Sequence, residues 1–196
     1  MRKLLIALGV VALVIVVIFE ANKSGGRDPA AATAAPPLTR AAVSRPLAGA
    51  PAELAALHAR VNELAPGGKT ALDAQLRALR GHPVVVNLWA SWCDPCRHEL
   101  PFFQRQALKR GARVAFLGVN SNDNGPDAQK LGARYPMPYP SFVDPRLAVA
   151  GDYGARGLPA TAFYDAGGTR VLVHQGGFTS ETQLAAEIDR YALGHS

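Results

Sequence analysis

Residues Val84 to Pro101, VVVNLWASWCDPCRHELP, predict more about the fold than any other part of the sequence. Its first six residues, Val84 to Trp89, form a nearly continuous apolar run, which is typical of a central strand buried on both faces. A helix is predicted from about Pro95 to Arg110, so the chain must turn between the two elements. The turn places Cys93 at the start of a helix that directly follows a buried strand.

The chain contains two cysteines among its 196 residues, and both lie in this one Cys-x-x-Cys. No further cysteine is present to complete a four-thiolate zinc site or to form a second, structural disulfide. Free N–H groups and the helix dipole stabilise a thiolate at a helix start, so Cys93 is the predicted attacking thiol. Cys96 lies one turn deeper, within reach but shielded, as a resolving thiol should. The pattern therefore favours a redox pair over half of a zinc site, and no metal ligand set is expected.

The remaining elements predict an α/β fold with a mixed central sheet and helices on both faces. Arg113–Val119 resembles a second buried strand, and a strand–helix–strand unit implies a right-handed crossover between parallel strands. Two further strands, Thr161–Tyr164 and Val171–His174, predict an antiparallel hairpin. Other helices are predicted at Glu53–Leu64, Thr70–Arg80 and about Asp127–Arg134, from an N-cap at Asp144, and from Ser180 to Gly194.

The N-terminus predicts a membrane anchor over residues 1–20. Arg2 and Lys3 precede Leu4–Phe19, 16 residues without a charged or polar side chain. A helix of this length reaches about 24 Å against a hydrocarbon core of ~30 Å, a gap that local thinning and snorkelling can close. The basic flank should stay in the cytoplasm, which places the rest of a single-pass protein outside. A cleaved signal peptide is the alternative, with its nearest small-x-small site at Ala32-Thr33-Ala34, far from the apolar run.

Composition divides the rest of the chain into a tether and a domain. Residues 21–51 are rich in Ala, Pro, Gly and Ser, which predicts a flexible tether. Residues 52–196 form the expected domain, with a core at about 72–193. The net charge is +6, but Lys and Arg are scattered rather than arranged in a stripe with aromatic residues. Nucleic acid is therefore not an expected partner.

The motif carries a family resemblance. Trp89–Cys96, WASWCDPC, is similar to the thioredoxin-superfamily active site, and Pro101 matches the proline that kinks its helix. The loop Gly157–Thr161 resembles the one that carries the family's cis-proline. With the anchor, Glu99 and an insertion over residues 121–157, the chain resembles the TlpA/ResA-like branch of thioredoxin-fold thiol–disulfide oxidoreductases. Asn87 departs from the pattern, because thioredoxin itself has a buried aspartate there.

This resemblance implies an activity and a substrate edge. Members of the branch exchange disulfides with protein substrates without a cofactor, and they commonly keep thiols reduced, for cytochrome c maturation or for other exported proteins. They take electrons from a membrane thiol donor. Carried over to this chain, Leu158 and Pro159 present a backbone edge to an extended substrate segment.

Two further residues have alternative interpretations. Glu99 is three residues after Cys96, so its carboxylate can relay the proton of that thiol; a surface residue paired with Arg97 or Arg105 is the alternative. Trp92 either gates the site and contacts substrate or merely packs.

Rival functions use the same cysteines differently. A copper-binding or copper-delivery module would combine the cysteine pair with His174. Such copper-delivery folds usually separate their cysteines by three residues, whereas this pair is separated by two. A redox-inactive adaptor would leave the intact pair unexplained, and a peroxidase would lack a separate peroxidatic cysteine.

Overall fold

A computed structural model of the chain describes residues 37–194. The predicted anchor at residues 1–20, the alternative cleavage site and the first part of the predicted tether lie outside the described residues. No helix within residues 37–194 is long and apolar enough to cross a bilayer.

Residues 37–194 alternate between helices and strands. The helices are α1 (Arg40–Val43), α2 (Ala52–His58), α3 (Gly68–Ala78), α4 (Asp94–Arg110), α5 (Gly125–Arg134), α6 (Ala148–Asp152) and α7 (Glu181–Glu187), which continues as a π-helical turn, Ile188–Ala192. The strands are β1 (Leu64–Ala65), β2 (Val84–Trp89), β3 (Ala115–Ser121), β4 (Ser141–Asp144), β5 (Ala160–Tyr164) and β6 (Arg170–Gln175).

The six strands form one mixed sheet in the order β1-β4-β3-β2-β5-β6. Strands β1 to β4 run parallel, whereas β5 is antiparallel to β2 and β6 is antiparallel to β5. The predicted parallel pair and the predicted hairpin are both confirmed. The carboxyl ends of β2 and β3 lie side by side, so the loops that follow them meet at one edge of the sheet.

The central strand β2 serves the hydrophobic core on both faces of the sheet. All six of its residues are buried, as the apolar run predicts. Val85 and Trp89 pack in the cluster that contains Leu100 and Phe103 of α4. Val86 and Leu88 pack in a second cluster on the other face. Helices therefore cover both faces, and Asn87, between Val86 and Leu88, points toward α4.

The predicted tether does not extend to residue 51. Thr39 caps α1 by accepting a hydrogen bond from Ala42 N, and Val43 is fully buried. Leu38 N donates to Gln104 Oε1 at 3.1 Å. Leu47 also reaches the domain, because a Cβ placed on Gly111 would lie 2.7 Å from its Cδ1. Both apolar residues stand among small ones, so the composition of the segment does not reveal them.

The predicted helix Glu53–Leu64 is wrong at its C-terminal end. Helix α2 ends at His58, and Leu64 begins β1 beside β4. Asn62 has a left-handed φ of 59°, and its side chain bonds both Gly132 O and Met137 N at 2.7 Å. Leu64 fits the helical spacing, but its backbone pairs with a strand that the local sequence does not reveal.

The predicted helix start at Asp144 is also wrong, although the capping chemistry is present. Asp144 is the last residue of β4, and α6 begins four residues later. From there its carboxylate accepts hydrogen bonds from Ala148 N and Val149 N, each at 2.9 Å. The N-cap itself is Leu147, so the predicted cap position is wrong, although the Asp144 carboxylate does bind the first N–H groups of the helix.

Candidate active site

Cys93 and Cys96 form a disulfide at the start of α4. Cys93 is the N-cap of this helix, and its sulfur accepts a hydrogen bond from Cys96 N at 3.2 Å. Pro95 occupies the first turn, where its missing N–H costs no helical hydrogen bond. Cys93 is 3% exposed and Cys96 is fully buried. Both cysteines are therefore buried in the disulfide form, and the assignment of Cys93 as the attacking thiol stays a prediction.

The loop before Cys93 is anchored by Asp123, a residue that the sequence analysis missed. Its carboxylate accepts hydrogen bonds from Ser91 N and Ser91 Oγ, each at 2.6 Å, and from Asn120 Nδ2 at 2.8 Å. Asp123 follows β3, the parallel neighbour of β2. A polar residue just beyond the carboxyl end of an adjacent strand is the signal that could have revealed it.

Arg97 ties the disulfide loop to the first turn of α4. Its Nη1 donates to Ser91 O at 2.9 Å, and its Nη2 pairs with the carboxylate of Asp94. A carboxylate at Asp94 opposes a thiolate on the adjacent Cys93, and the Arg97 guanidinium that pairs with this carboxylate partly offsets the repulsion. Arg97 is not a partner of Glu99, and Arg105 pairs with Glu181.

Glu99 is completely buried, one helical turn after Cys96. Its Oε1 accepts a hydrogen bond from Asn87 Nδ2 at 2.8 Å, and its Oε2 accepts one from Phe178 N at 2.9 Å. Burial raises the pKa of Glu99 to about 8, although both hydrogen bonds lower it. The surface alternative for Glu99 is wrong, and its carboxyl titrates within about one pH unit of a free thiol at ~8.5.

The loop before β5 brings Pro159 close to the disulfide helix and to Glu99. The Leu158–Pro159 peptide bond is cis, as the resemblance implies. A Cβ placed on Gly177 would lie 3.4 Å from Pro159 Cγ, 3.6 Å from Glu99 Oε2 and 3.6 Å from Pro95 Cβ. Gly177 therefore marks the point where Pro159, the disulfide helix and the buried acid converge. A single sequence offered no signal for this glycine.

Trp92 stands beside a cavity of about 220 Å³, with 58% of its surface exposed. Its Nε1 donates to Asn122 O at 2.9 Å, which orients the ring. The cavity is also lined by Leu158 and by Leu147, an exposed leucine whose φ is 56°. The two expected substrate-contacting side chains, Trp92 and Leu158, thus share one mostly apolar depression.

His174, the extra ligand of the copper alternative, has other partners. Its Nδ1 lies 3.0 Å from Glu187 Oε1, and its ring stacks on Phe178 at a centroid distance of 4.3 Å. Across residues 37–194, no group of three or more His, Cys, Asp or Glu side chains is placed to hold a metal ion. His98 is exposed on α4.

Residues 51–171 match the family model described as the AhpC/TSA family. The chain belongs to the AhpC/TSA family. Within it, the resemblance to the TlpA/ResA-like branch is confirmed by curated relatives. Thiol-disulfide oxidoreductase ResA of Halalkalibacterium halodurans is 33% identical over 110 residues, which cover 55% of this chain and 61% of that protein. Thiol:disulfide interchange protein HelX of Rhodobacter capsulatus is 35% identical over 147 residues, 74% of this chain and 80% of that protein.

A solved structure supports the same assignment. The crystal structure of a protein described as thiol:disulfide interchange protein DsbE, from Chlorobium tepidum, superimposes with a TM-score of 0.54 at 30% identity. The superposition covers 58% of this chain and 82% of that one. The fold is thioredoxin-like. The alignment with ResA, by contrast, spans about three fifths of that relative's length.

Proposed function

We propose that the protein is an extracytoplasmic thiol–disulfide oxidoreductase that reduces disulfides in protein substrates. The observation that carries this proposal is the Cys93–Cys96 disulfide at the start of α4, with the buried carboxyl of Glu99 one turn behind it. No cofactor is needed, because the cysteine pair itself holds the two electrons.

The reaction is two successive thiol–disulfide exchanges. In the reduced protein, the Cys93 thiolate attacks one sulfur of a substrate disulfide, and the other substrate sulfur leaves as a thiolate that takes up a proton. Cys96 then loses its proton and attacks Cys93 in the mixed disulfide. The second substrate thiol is released and the Cys93–Cys96 disulfide forms. Two electrons and two protons have passed to the substrate, and a thiol donor restores them.

Glu99 supplies the proton acceptor for the second exchange. Cys96 is fully buried, so water reaches its proton poorly when the thiol must ionise. A carboxyl with a pKa near 8 can take that proton with little free-energy cost, because a thiol ionises in the same range. In the reverse direction, protonated Glu99 returns the proton as Cys96 leaves.

The substrate segment lies along the edge that Leu158 and Pro159 present. An extended chain that pairs with this backbone places its cysteine against Cys93 and a neighbouring side chain against the 220 Å³ cavity. Trp92 and Leu147 are among the exposed large apolar side chains of residues 37–194, and both line this cavity. The site therefore favours a substrate with an apolar residue close to its cysteine.

The sequence pattern supports a location outside the cytoplasm. Residues 4–19 serve as a single-pass anchor in this proposal, with the domain on the far side of the cell membrane. Electrons come from a membrane thiol donor. The TlpA/ResA-like resemblance favours cytochrome c maturation, or the reduction of other exported proteins, as the pathway.

Trapping the mixed disulfide tests the proposal. Cys96→Ser leaves Cys93 free to attack but removes the resolving thiol, so a covalent adduct with a substrate protein should accumulate on Cys93. Cys93→Ser is the matched control and should form none. In the reduced wild type, iodoacetamide should label Cys93 faster than Cys96 between pH 6 and 8. Adducts on neither cysteine, or preferential labelling of Cys96, would overturn the assignment.

A further inference from the structure

Phe178 supplies one of the two hydrogen bonds to the buried acid through its backbone. Its N–H donates to Glu99 Oε2 at 2.9 Å. The two residues before it are Gly176, with a left-handed φ of 90°, and Gly177. Gly176 N donates a hydrogen bond to Pro159 O at 3.0 Å, which fixes the backbone there, but Gly177 has no side chain that could help to position the next N–H.

The ring of Phe178 makes two aromatic contacts. His174 stacks on it, with centroids 4.3 Å apart and planes 18° from parallel. Phe103, on the same helix as Glu99, meets its edge at 6.0 Å. Each such contact contributes a modest free energy beyond burial, and together they fix the ring from which the backbone of Phe178 extends.

His174 is itself fixed from two sides. Its Nδ1 lies 3.0 Å from Glu187 Oε1, with the two side chains 18% and 19% exposed. In the hairpin it is paired with Thr161, whose Oγ1 lies 3.4 Å from Asn87 Nδ2. His174 is thus held by a helix and by the strand whose threonine contacts the other hydrogen-bond donor to Glu99.

We propose that His174 is a positioning residue for disulfide exchange, which holds the Phe178 N–H against Glu99 by stacking on the Phe178 ring. This inference rests on the proposed function and deepens it. It gives Glu187 a role as well, because its carboxylate orients the imidazole. Neither His174 nor Glu187 touches the sulfur atoms.

Loss of the Phe178 hydrogen bond should change the pKa of Glu99, because this bond acts on the charged form of the carboxyl group. A hydrogen bond donated to a carboxylate favours the ionised form, and the Phe178 bond accordingly lowers the pKa of Glu99 against the effect of burial. Releasing Phe178 raises that pKa and leaves less proton acceptor at neutral pH. Titratable neighbours of this system are Cys96 and Tyr139 near Glu99, and Glu187 beside His174.

The test measures Glu99 directly, with ¹³C carboxyl NMR on the full-length protein in detergent. In the disulfide form the cysteines carry no titrating proton. We expect His174→Ala to raise the midpoint of the Glu99 carboxyl, and disulfide reduction at pH 7 to slow by about three- to tenfold. His174→Phe, which restores a ring, should return both values toward wild type. His98→Ala, an exposed histidine on α4, should change neither.

Two further variants keep the outcome decisive. Phe178→Leu removes the stack from the other side and should raise the same midpoint, even if His174→Ala does not fold. In a Glu99→Gln background, His174→Ala should slow exchange no further. An unchanged Glu99 midpoint in both His174→Ala and Phe178→Leu would overturn the positioning role. A wild type without exchange activity would instead overturn the proposed function, while the NMR midpoint would still report on His174.

Discussion

Asn87 donates a hydrogen bond from Nδ2 to Glu99 Oε1 at 2.8 Å, between two side chains that are 1% and 0% exposed. The carboxamide cannot ionise, so it supports the charged form of Glu99 without adding a second negative charge. Thioredoxin itself, which this part of the chain resembles, has an aspartate at the position of Asn87. In this protein the buried acid is therefore supplied by the active-site helix instead of the central strand.

The first prediction concerns the rate of exchange. Glu99→Gln keeps the shape of the side chain but cannot accept a proton, so resolution by Cys96 should slow roughly tenfold or more at neutral pH. In the wild type the rate should rise with pH up to an inflection near the Glu99 pKa of about 8. In Glu99→Gln the part of the rise that follows Glu99 should be lost, and only the rise that comes from ionisation of the thiols should remain. Single-turnover reduction of a protein disulfide between pH 6 and 9 measures both.

The matched control for this experiment is Glu53→Gln. Glu53 is exposed in the first turn of α2. Glu181 is a poor control, because its carboxylate binds Arg105, Gln106 and Lys109. Equal rates in Glu99→Gln and Glu53→Gln would remove the proton-transfer role.

The second prediction concerns stability. The pKa of Glu99 is raised from 4.5 to about 8 on folding, so the folded state holds this proton more tightly than the unfolded state. Its contribution to stability is fully present below about pH 4.5 and is lost as pH rises through 8. The loss should amount to a few kcal/mol, since each pKa unit corresponds to about 1.4 kcal/mol. Glu99→Gln should abolish this fall.

Urea unfolding of the disulfide form at pH 5 and pH 9 measures the effect. The relevant quantity is the difference between wild type and Glu99→Gln, because other groups contribute equally to both. Glu63, Asp127 and Glu181 have lowered pKa values and act below this window. If the free energy of unfolding changed equally with pH in the wild type and in Glu99→Gln, burial would not be raising the pKa of Glu99.

Features of the active site that depend on neighbouring residues in the chain can be predicted from the sequence alone. The Cys-x-x-Cys spacing and the preceding apolar run placed Cys93 at a helix start, and the three-residue spacing put Glu99 behind Cys96. Neither inference required knowledge of distant contacts. The pairing of Glu99 with Asn87 and Phe178 N joins residues 12 and 79 positions apart, and no local pattern encodes it.

The missed features all depend on tertiary context. Gly177 borders Pro159 because the hairpin folds back over the active-site helix, which a glycine in a single sequence does not reveal. Asp144 carries a familiar capping signal, but its strand is only four residues long and gains its stability by pairing with β3. Short strands of this kind are defined by their neighbours more than by their own residues.

The third prediction concerns access to the site. Gly177→Ala adds a Cβ at ordinary contact distances of 3.4–3.6 Å from Pro159, Glu99 and Pro95, so the fold should survive. The added methyl occupies the space where these groups converge. Reduction of a protein disulfide should slow several-fold, whereas a small disulfide should be affected less, because it needs no backbone edge.

Gly151→Ala is the matched control for this change. A Cβ at Gly151 meets no atom within 4 Å, and the residue lies in α6. Its exchange rates should equal those of the wild type for both kinds of substrate. An equal loss for the protein and the small disulfide in Gly177→Ala would indicate damage to the cysteine pair and not a block of the substrate edge.

The last prediction concerns the reduction potential and the pair Asp94 and Arg97. The carboxylate of Asp94 opposes a Cys93 thiolate, and Arg97 favours it; in the structure the two charges are paired. Asp94→Asn leaves the guanidinium uncompensated. It should therefore stabilise the thiolate, lower the pKa of Cys93 and make the potential less negative. Arg97→Gln should move the potential in the opposite direction.

Each shift should be on the order of 10–20 mV, because exposed ion pairs contribute about 1 kcal/mol or less and ~30 mV corresponds to 1.4 kcal/mol. Equilibration of each variant against a dithiol buffer of known potential measures it, and high salt should reduce both shifts by screening. The double variant should return close to the wild-type potential. Both single variants could instead move the potential in the same direction. Distortion of the loop through the Arg97–Ser91 hydrogen bond would then explain the result. The charge of Asp94 would in that case not bias the protein toward a reductant.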